Sequence, residues 1–228
     1  MKTFWHLGNG TPDYRSIMRE HKDFAVDSKT IAASKVVIAE QTHSDNVHIC
    51  TDNDSGAGFG EHPQIADTDA LITIIPYQYI LIRTADCTPV LLLDNKGRAA
   101  GAIHSGREGT RKNISGKTVA VFDRVLGIKP NELTAYIGAG ICHRHYPVDE
   151  RTWLHYNESL REQGFVPDTT LNLHINIRRD IFQQLIAAGI PFRNIEQICD
   201  CTFEAQGYHS FRRSGTNNRQ ISLVGLEI

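Results

Sequence analysis

The sequence of 228 residues has little of what marks several large classes of protein. Its five Cys are too few and too irregularly spaced for a small secreted domain held together by disulfides. Lys and Arg number 24 against 26 Asp and Glu, so no excess charge points to nucleic acid or to an anionic membrane. The longest apolar stretches, Ile72–Ile75 and Val90–Leu93, are far shorter than the roughly 18 residues of a membrane-spanning helix.

The short motifs of several enzyme classes are also missing. No Walker loop and no G-x-G-x-x-G opens a helix after a strand, and no G-x-S-x-G elbow occurs. The N-terminus lacks the apolar stretch of a signal peptide, and no Pro- or Ser-rich linker divides the chain. We therefore expect a single cytoplasmic domain over residues 1–228, with reduced thiols and with neither nucleic acid nor a membrane as partner.

Hydrophobic patterns predict strands in the middle of the chain. Short apolar runs at Lys35–Glu40 and Val47–Thr51 suggest a strand pair. The runs Pro89–Asp94 and Ala99–His104 flank a predicted hairpin turn at Asn95–Arg98. Because these runs are almost continuously apolar, we expect strands that are covered on both faces.

Helices are expected in the second half of the chain. Arg111–Leu126 precedes Gly127, a residue suited to end a helix, and Asp149–Gln163 is polar on one face. The apolar stripe of a further helix is formed by Leu173, Ile177, Ile181 and Leu185. Since strands and helices mix without strict alternation, the sequence predicts an α+β sandwich with helices on the outer faces of the sheets.

Three segments place a reactive residue beside a predicted strand: His43, Cys87 and His104. Imidazole and thiolate together suit Zn²⁺, and three protein ligands with an open fourth position are typical of a catalytic site. The separations of 44 and 17 residues form no local metal motif, and a Cys after an apolar strand is often simply buried. The residues alone therefore leave a metal site and ordinary packing as alternatives.

Further residues are candidates for catalysis or binding. Asp86 is either a proton acceptor beside Cys87 or a cap for its own turn. Arg212 and Arg213 can bind an anion, against the default of a solvated surface pair. We interpret His143–His145 as a solvated loop, and we expect no zinc site at Cys199–Cys201 because two Cys lack a partner pair.

The ordered blocks of the chain carry more information than any one of them. They are Gln41-Thr42-His43-Ser44, Asp69-Ala70-Leu71-Ile72-Thr73, Ala85-Asp86-Cys87-Thr88-Pro89-Val90, Ala102-Ile103-His104-Ser105-Gly106 and Tyr208-His209-Ser210-Phe211-Arg212-Arg213. From about Val36 to the C-terminus, this set resembles the YfiH-type laccase-domain family, long labelled polyphenol oxidases and now regarded as purine nucleoside phosphorylases.

The resemblance implies a four-layer αββα sandwich of mixed sheets, similar to the catalytic domain of cytotoxic necrotizing factor toxins. It implies that His43, Cys87 and His104 form a catalytic metal site, for which we expect zinc. The implied reaction is phosphorolysis of adenosine, inosine or methylthioadenosine to the free base and ribose 1-phosphate, with adenosine deamination as a further activity. A purine nucleoside and phosphate would then be the partners, with Arg212 and Arg213 as substrate-binding residues and Asp86 as a proton carrier.

The sequence also departs from the family pattern. Where the family continues its second metal His into His-Ala-Gly-Trp-Arg-Gly, this chain has Arg107 and Glu108 at the Trp and Arg positions. Loss of a Trp removes a stacking surface, and Glu in place of Arg reverses a charge, so we expect an altered substrate preference. The family's N-terminal segment is not recognisable, with only Asp13–Arg15 and Arg19 as remote equivalents.

Two other functions compete with phosphorolysis. The His₂Cys set is also that of blue copper, so a copper-dependent polyphenol oxidase is an alternative, but its weak axial Met is missing because only Met1 and Met18 occur. A metal-free hydrolase, acting on cell-wall precursors, would use Cys87 as a nucleophile activated by His104. We expect a monomer or a homodimer in each case.

Overall fold

The computed structural model describes residues Lys2–Glu227, in which three sheets form. A four-stranded sheet contains, in spatial order, β1 (Lys2–Leu7), β12 (Gln220–Glu227), β7 (Tyr79–Thr84) and β4 (Val36–Ile38). A six-stranded sheet contains β11 (Ile195–Gln197), β10 (Leu133–Ile137), β8 (Thr88–Asp94), β9 (Ala100–Ser105), β6 (Ala70–Thr73) and β5 (Val47–Ile49). A small hairpin is made of β2 (Phe24–Val26) and β3 (Lys29–Ile31).

Helices occupy the connections between these strands. They are α1 (Tyr14–Glu20), α2 (Arg107–Arg111), α3 (Ile114–Arg124), α4 (Glu150–Glu162), α5 (Ile177–Ala187) and α6 (Phe211–Ser214). Within Lys2–Glu227, no helix has both the length and the apolar character needed to cross a bilayer. The predicted α+β class with mixed sheets is confirmed, since each large sheet has parallel and antiparallel pairs.

Alternate residues of β8 face different cores, which explains why the strand is apolar throughout. Val90 and Leu92 pack in a cluster with α3, α4 and α5, whereas Leu91 and Leu93 pack between the two large sheets. A third cluster covers the far face of the four-stranded sheet, where α1 and the β2–β3 hairpin supply Ile17 and other apolar residues. That outer face is therefore covered by one short helix and a hairpin.

Several local predictions are confirmed in detail. The strands β8 and β9 are antiparallel, and Gly97 in their turn has a φ of 67°, which glycine adopts without strain. The helix α4 begins after Asp149, whose carboxylate accepts the Thr152 N–H at 2.9 Å as a helix cap. Gly127 follows α3 with a φ of 68°.

Two predictions of local structure are wrong. The runs at Val36–Ile38 and Val47–Ile49 do not pair, because β4 joins β7 in one sheet and β5 joins β6 in the other. Strands of three residues carry no pattern that selects a partner, and the segment between them crosses from sheet to sheet. Leu173 lies outside α5 with a φ of 55°. The predicted apolar stripe therefore starts four residues before the helix itself.

A buried carboxyl group makes the stability of this fold depend on pH. Asp180 in α5 is 1% exposed and accepts a hydrogen bond from the Tyr156 hydroxyl at 3.0 Å. Burial raises the pKa of Asp180 to about 7, because the charged form loses its hydration. The folded state therefore holds a proton that the unfolded chain releases between pH 4 and 7, so stability falls as pH rises through that range.

We expect the variant Asp180→Asn to remove this pH dependence. Between pH 5 and 8, the free energy of unfolding of the wild type should fall by about 2–3 kcal/mol more than that of the variant. Urea unfolding of both proteins at the two pH values measures the difference. Parallel pH profiles for the two proteins would show that Asp180 titrates normally.

Candidate active site

The fold brings His43, Cys87 and His104 to one place. His43 lies in the segment that crosses between the sheets, Cys87 in the short connection between β7 and β8, and His104 near the end of β9. One ligand atom from each lies within 4.8 Å of the other two, and Cys87 Sγ is 3.9 Å from His43 Nε2. The antiparallel register places Pro89 opposite His104, so Cys87 just before β8 comes close to the imidazole.

The backbone at this site adopts conformations that most residues avoid. His43 has a φ of 63° and Asp86 a φ of 87°, both in the left-handed region. Gly106 lies against the ligands, because a Cβ there would be 2.9 Å from His43 Cδ2 and 3.0 Å from Cys87 Sγ. A glycine is therefore required at this position for the two ligands to approach.

Asp69 orients the histidine pair. Its Oδ1 lies 2.6 Å from His104 Nδ1, and its Oδ2 accepts the Ser44 backbone N–H at 2.6 Å and the Ser44 hydroxyl at 2.8 Å. Burial alone would raise the pKa of Asp69, but the hydrogen bonds from His104 and Ser44 keep it below its ordinary value. A carboxylate behind an imidazole leaves the other ring nitrogen free for a metal.

Sequence analysis missed the role of Asp69. The residue belongs to one of the blocks quoted above, but its position directly before β6 was the sole indication that it lies near the site. The alignment of β6 beside β9 brings it to His104, and that pairing connects residues 35 apart in the chain.

Charge in the site favours a thiolate. Burial opposes ionisation of Cys87, but the adjacent His104 and His43 lower its pKa to about 6. Burial likewise opposes the charged form of His104, yet the Cys87 sulfur and Asp69 raise its pKa to about 9. A thiolate is the form of Cys that binds a metal or attacks a substrate, so the donor set fits a soft divalent ion.

These residues open into a cavity of about 460 Å³, which is a size typical of small-molecule sites. Its wall includes three arginines, Arg83, Arg212 and Arg219, and the aromatic residues Tyr146 and Phe211. Among the described residues that line it, Asp86 is the one carboxylate, so positive charge prevails in the cavity.

Asp86 connects the site to the C-terminal part of the chain. Its Oδ1 accepts the Thr202 hydroxyl at 2.7 Å, and its Oδ2 accepts the Arg212 backbone N–H at 2.7 Å. Its own carbonyl accepts the Ile141 N–H at 2.9 Å. Because both carboxylate oxygens already accept hydrogen bonds, this geometry favours a positioning role over the predicted proton transfer.

The two adjacent arginines differ in their surroundings. Arg212 lines the cavity, with its guanidinium 5.1 Å from the centre of the Tyr146 ring. Arg213 points to the loop before α6 and donates to the carbonyls of Thr202, Phe203 and Tyr208 at 2.5–3.1 Å. Arg213 therefore holds that loop instead of reaching the cavity, since these carbonyls occupy its guanidinium.

Arg107 and Glu108 also lie away from the triad. They border a neighbouring cavity of about 520 Å³, where Glu108 pairs with Arg107 at 3.1 Å and with Arg111 at 2.9 Å. The charge reversal expected at Glu108 is thus neutralised locally by two arginines. These two ion pairs explain how the chain accommodates Glu108 at the position where the family has Arg.

The chain is similar to known proteins over most of its length. A family model described as multi-copper polyphenol oxidoreductase laccase matches residues 4–227. A purine nucleoside phosphorylase of Corynebacterium glutamicum is 30% identical over 223 residues, covering 97% of this chain and 87% of the relative. The crystal structure of the hypothetical protein YfiH of Bacillus licheniformis matches with a TM-score of 0.78 and 29% identity, over 86% of this chain and 75% of that one. YlmD of Geobacillus stearothermophilus matches with a TM-score of 0.79 and 25% identity, over 87% and 76% of the chains.

We expect Gly106→Ala to disrupt metal binding at the triad. The backbone at residue 106 has a φ of −83°, which alanine adopts freely, so the effect comes from the new methyl group against His43 and Cys87. Metal analysis after dialysis should show about one divalent ion fewer per chain than in the wild type. Gly207→Ala is the matched control, because a Cβ there meets no atom within 4 Å. Equal metal content in all three proteins would show that the site accommodates a methyl group at residue 106.

Proposed function

The chain belongs to the family described as multi-copper polyphenol oxidoreductase laccase, and on that premise we propose that it is a zinc-dependent purine nucleoside phosphorylase. The observation that carries the proposal is the shared cavity, in which His43, Cys87 and His104 face three arginines. A metal triad alone would suit many reactions, whereas a cavity with this positive charge suits a substrate that is an anion. The phosphorylase names of its relatives support the same reaction.

In this proposal His43, Cys87 and His104 hold a zinc ion. Two imidazoles and a thiolate leave a fourth position open, as in catalytic zinc sites. When bound, zinc supplies a Lewis acid that stabilises negative charge on a neighbouring oxygen. Asp69 fixes the ring of His104 and the backbone beside His43, so the ligands are arranged before any substrate binds.

The remaining wall of the cavity offers separate surfaces for phosphate and for the base. Arg212, Arg83 and Arg219 carry positive charge, and a guanidinium matches phosphate oxygens through paired hydrogen bonds. In each of them Nη1 already donates within the protein: to the Pro147 carbonyl from Arg212, to Tyr14 and Gln64 from Arg83, and to the Thr216 and Asn218 carbonyls from Arg219. Phosphate would therefore bind through the remaining guanidinium nitrogens. The aromatic rings of Tyr146 and Phe211 can stack on a purine. Phe211 is 55% exposed, a high fraction for Phe, so its ring is accessible to a ligand in the cavity.

Phosphorolysis needs no external oxidant and balances as written. An oxygen of hydrogen phosphate forms a bond to C1′ of the ribose while the C1′–N9 bond breaks. The electron pair of the broken bond leaves with the purine, which takes up the proton that hydrogen phosphate loses. The protein contributes orientation of the two reactants and charge stabilisation of the phosphate, which together account for much of the acceleration in such reactions.

The first test follows the products formed from three nucleosides. The zinc-loaded protein is incubated with adenosine, inosine and methylthioadenosine, each with and without phosphate. We expect free base and sugar 1-phosphate only when phosphate is present: ribose 1-phosphate from adenosine and inosine, and methylthioribose 1-phosphate from methylthioadenosine. Inosine formed from adenosine without phosphate would establish the deaminase activity that we propose as a second reaction. Release of neither product from any nucleoside would overturn the proposal.

A second test addresses the arginines. In Arg212→Met the side chain keeps an unbranched aliphatic stem and loses its charge, so the KM for phosphate should rise about 10- to 100-fold, as expected for loss of a charged hydrogen bond. The KM for the nucleoside should change much less. Arg124→Met, an exposed arginine at the end of α3, is the control and should behave as the wild type. An unchanged phosphate KM in Arg212→Met would remove this residue from the phosphate site.

One geometric observation favours a second candidate function. Cys87, His104 and Asp69 form a chain of thiol, imidazole and carboxylate of the kind that activates a nucleophilic Cys in hydrolases. Complete removal of metal separates the two functions, because phosphorolysis should then stop and should return when zinc is restored. Activity that survives chelation and disappears in Cys87→Ser would establish the hydrolase, for which we proposed cell-wall precursors as substrates.

Copper-dependent oxidation of phenols has less support from this chain. The axial ligand of a blue-copper site is usually a Met. Met18 packs in the cluster beside the four-stranded sheet, and Met1 lies outside the described residues. Stoichiometric copper with turnover of phenols and no base release would decide for the oxidase. Cytoplasmic location and a monomeric or homodimeric state stay predictions from the sequence.

A further inference from the structure

A second group of metal-binding side chains lies outside the cavity described above. Cys142, His145, Cys201 and Glu204 each place one ligand atom within 4.8 Å of the other three. They form two pairs with the same spacing, C-x-x-H at residues 142–145 and C-x-x-E at residues 201–204. We propose that these four residues bind a structural Zn²⁺, in a site independent of the reaction proposed for the triad.

The distances between donor atoms match a tetrahedral ion. His145 Nδ1 lies 3.3 Å from Cys142 Sγ, 3.8 Å from Cys201 Sγ and 3.4 Å from Glu204 Oε1. Zinc bonds of about 2.3 Å to sulfur and 2.0–2.1 Å to nitrogen or oxygen, arranged tetrahedrally, place neighbouring donors about 3.3–3.8 Å apart. The three distances from His145 Nδ1 fall in this range, and every other pair of donors lies within 4.8 Å.

The surroundings hold the donors in place. The backbone N–H of Cys142 donates to Cys201 Sγ at 3.2 Å, which fixes the position of the sulfur relative to the Cys142 loop. The His145 ring stacks on Phe203 with centroids 4.5 Å apart, which fixes the direction of Nδ1. Arg144 donates to Glu204 Oε1 at 3.2 Å and so orients the carboxylate and offsets part of its charge.

The ligand set selects zinc among common ions. Four protein ligands with two thiolates form a closed site, which is typical of structural zinc, whereas calcium and magnesium prefer oxygen ligands. Burial and the neighbouring Cys201 raise the pKa of the Cys142 thiol, so an ion must displace a thiol proton on binding. That requirement makes zinc binding weaker at low pH without preventing it near neutrality.

A third cluster in the described part of the chain is less suited to bind a metal ion. His48, Cys50 and Asp54 also come within 4.8 Å of one another. Burial raises the pKa of the Cys50 thiol far above its ordinary value, and Asp54 Oδ2 already accepts the Thr51 N–H and hydroxyl. The cluster with two Cys differs because it has a fourth donor and a second thiol.

An ion in this position would brace one wall of the cavity. The loop of Cys142 includes Ile141, whose N–H bonds to the Asp86 carbonyl. The loop of Cys201 includes Thr202, whose hydroxyl bonds to the Asp86 carboxylate and whose carbonyl accepts from Arg213. Zinc would therefore join two loops that both contact Asp86, and it would do so without touching a substrate.

Metal analysis of single variants tests the proposal. Protein purified under reducing conditions with zinc should hold two ions per chain, and Cys201→Ser should lose one while it keeps the ion of the triad. Cys87→Ser should lose the other ion, so failure at one site is distinguished from failure at the other. Cys199→Ser is the matched control, because this exposed Cys lies two residues from Cys201 and outside the cluster.

Two further measurements test the proposal if Cys201→Ser does not fold. Glu204→Gln changes an exposed side chain. In competition with a chelator, this variant should bind zinc at least about tenfold more weakly than the wild type. Mutation of a residue that only hydrogen-bonds to a metal ligand already lowers metal affinity by about this factor. In Cys87→Ser loaded with Co²⁺, the cluster should still give the absorption of thiolate-bound tetrahedral cobalt. Cys87→Ser without any bound metal, or Cys201→Ser with the metal content of the wild type, would overturn the proposal. So would a Cys142–Cys201 disulfide found by mass analysis of protein kept under reducing conditions.

Discussion

The buried Asp69 carboxylate is the interaction on which the triad depends. It is fully buried, and it accepts from His104 on one oxygen and from Ser44 on the other. An unpaired carboxylate in this position would cost several kcal/mol, so the fold retains it only while both partners are in place. One charge thus aligns the end of β9 with the segment that crosses between the sheets. His43 is itself exposed, and Asp69 holds it through the backbone N–H groups of its neighbours Thr42 and Ser44.

Asp86 plays the corresponding part on the other side of the cavity. Residues 85–87 connect β7 in one sheet to β8 in the other, so Cys87 is held at the junction of the two layers. The carboxylate of Asp86 joins that junction to Thr202 and to the first turn of α6. The position of Arg212 therefore depends on the same short connection that presents the thiolate. A change in either loop should therefore alter the positions of both Cys87 and Arg212.

The sequence was informative where a local pattern determines the structure. The apolar run of β8, the turn at Gly97 and the Asp149 cap of α4 each follow from neighbouring residues alone. The partners of β4 and β5 depend on contacts across the whole fold, so a pattern of three residues could not indicate them. His43, Cys87 and His104 were predicted from residue type and position beside strands, but their convergence required the structure. Asp69 and the different surroundings of Arg212 and Arg213 were out of reach for the same reason.

The second cluster shows how a local signal can be hidden by its neighbours. Cys201 and His145 were each considered beside a more obvious companion, Cys199 and His143, and neither companion takes part. In each pair the two ligands are three residues apart, and a turn of the backbone brings both side chains to the same side of the chain. The Cys201 carbonyl accepts the Glu204 N–H at 3.1 Å, and the Cys142 carbonyl accepts the His145 N–H at 3.0 Å.

Formal charge distinguishes what the two proposed sites would do with a zinc ion. Two imidazoles and one thiolate leave a zinc ion with a net positive charge and an open position, in a cavity that three arginines make more positive. Two thiolates, one imidazole and one carboxylate more than cancel the charge of zinc, and Arg144 restores the balance. The first arrangement attracts an anion to the metal, whereas the second excludes further ligands and favours a purely structural role. Under the two proposals, an open fourth coordination position distinguishes the reactive site, whereas four protein ligands close the structural one.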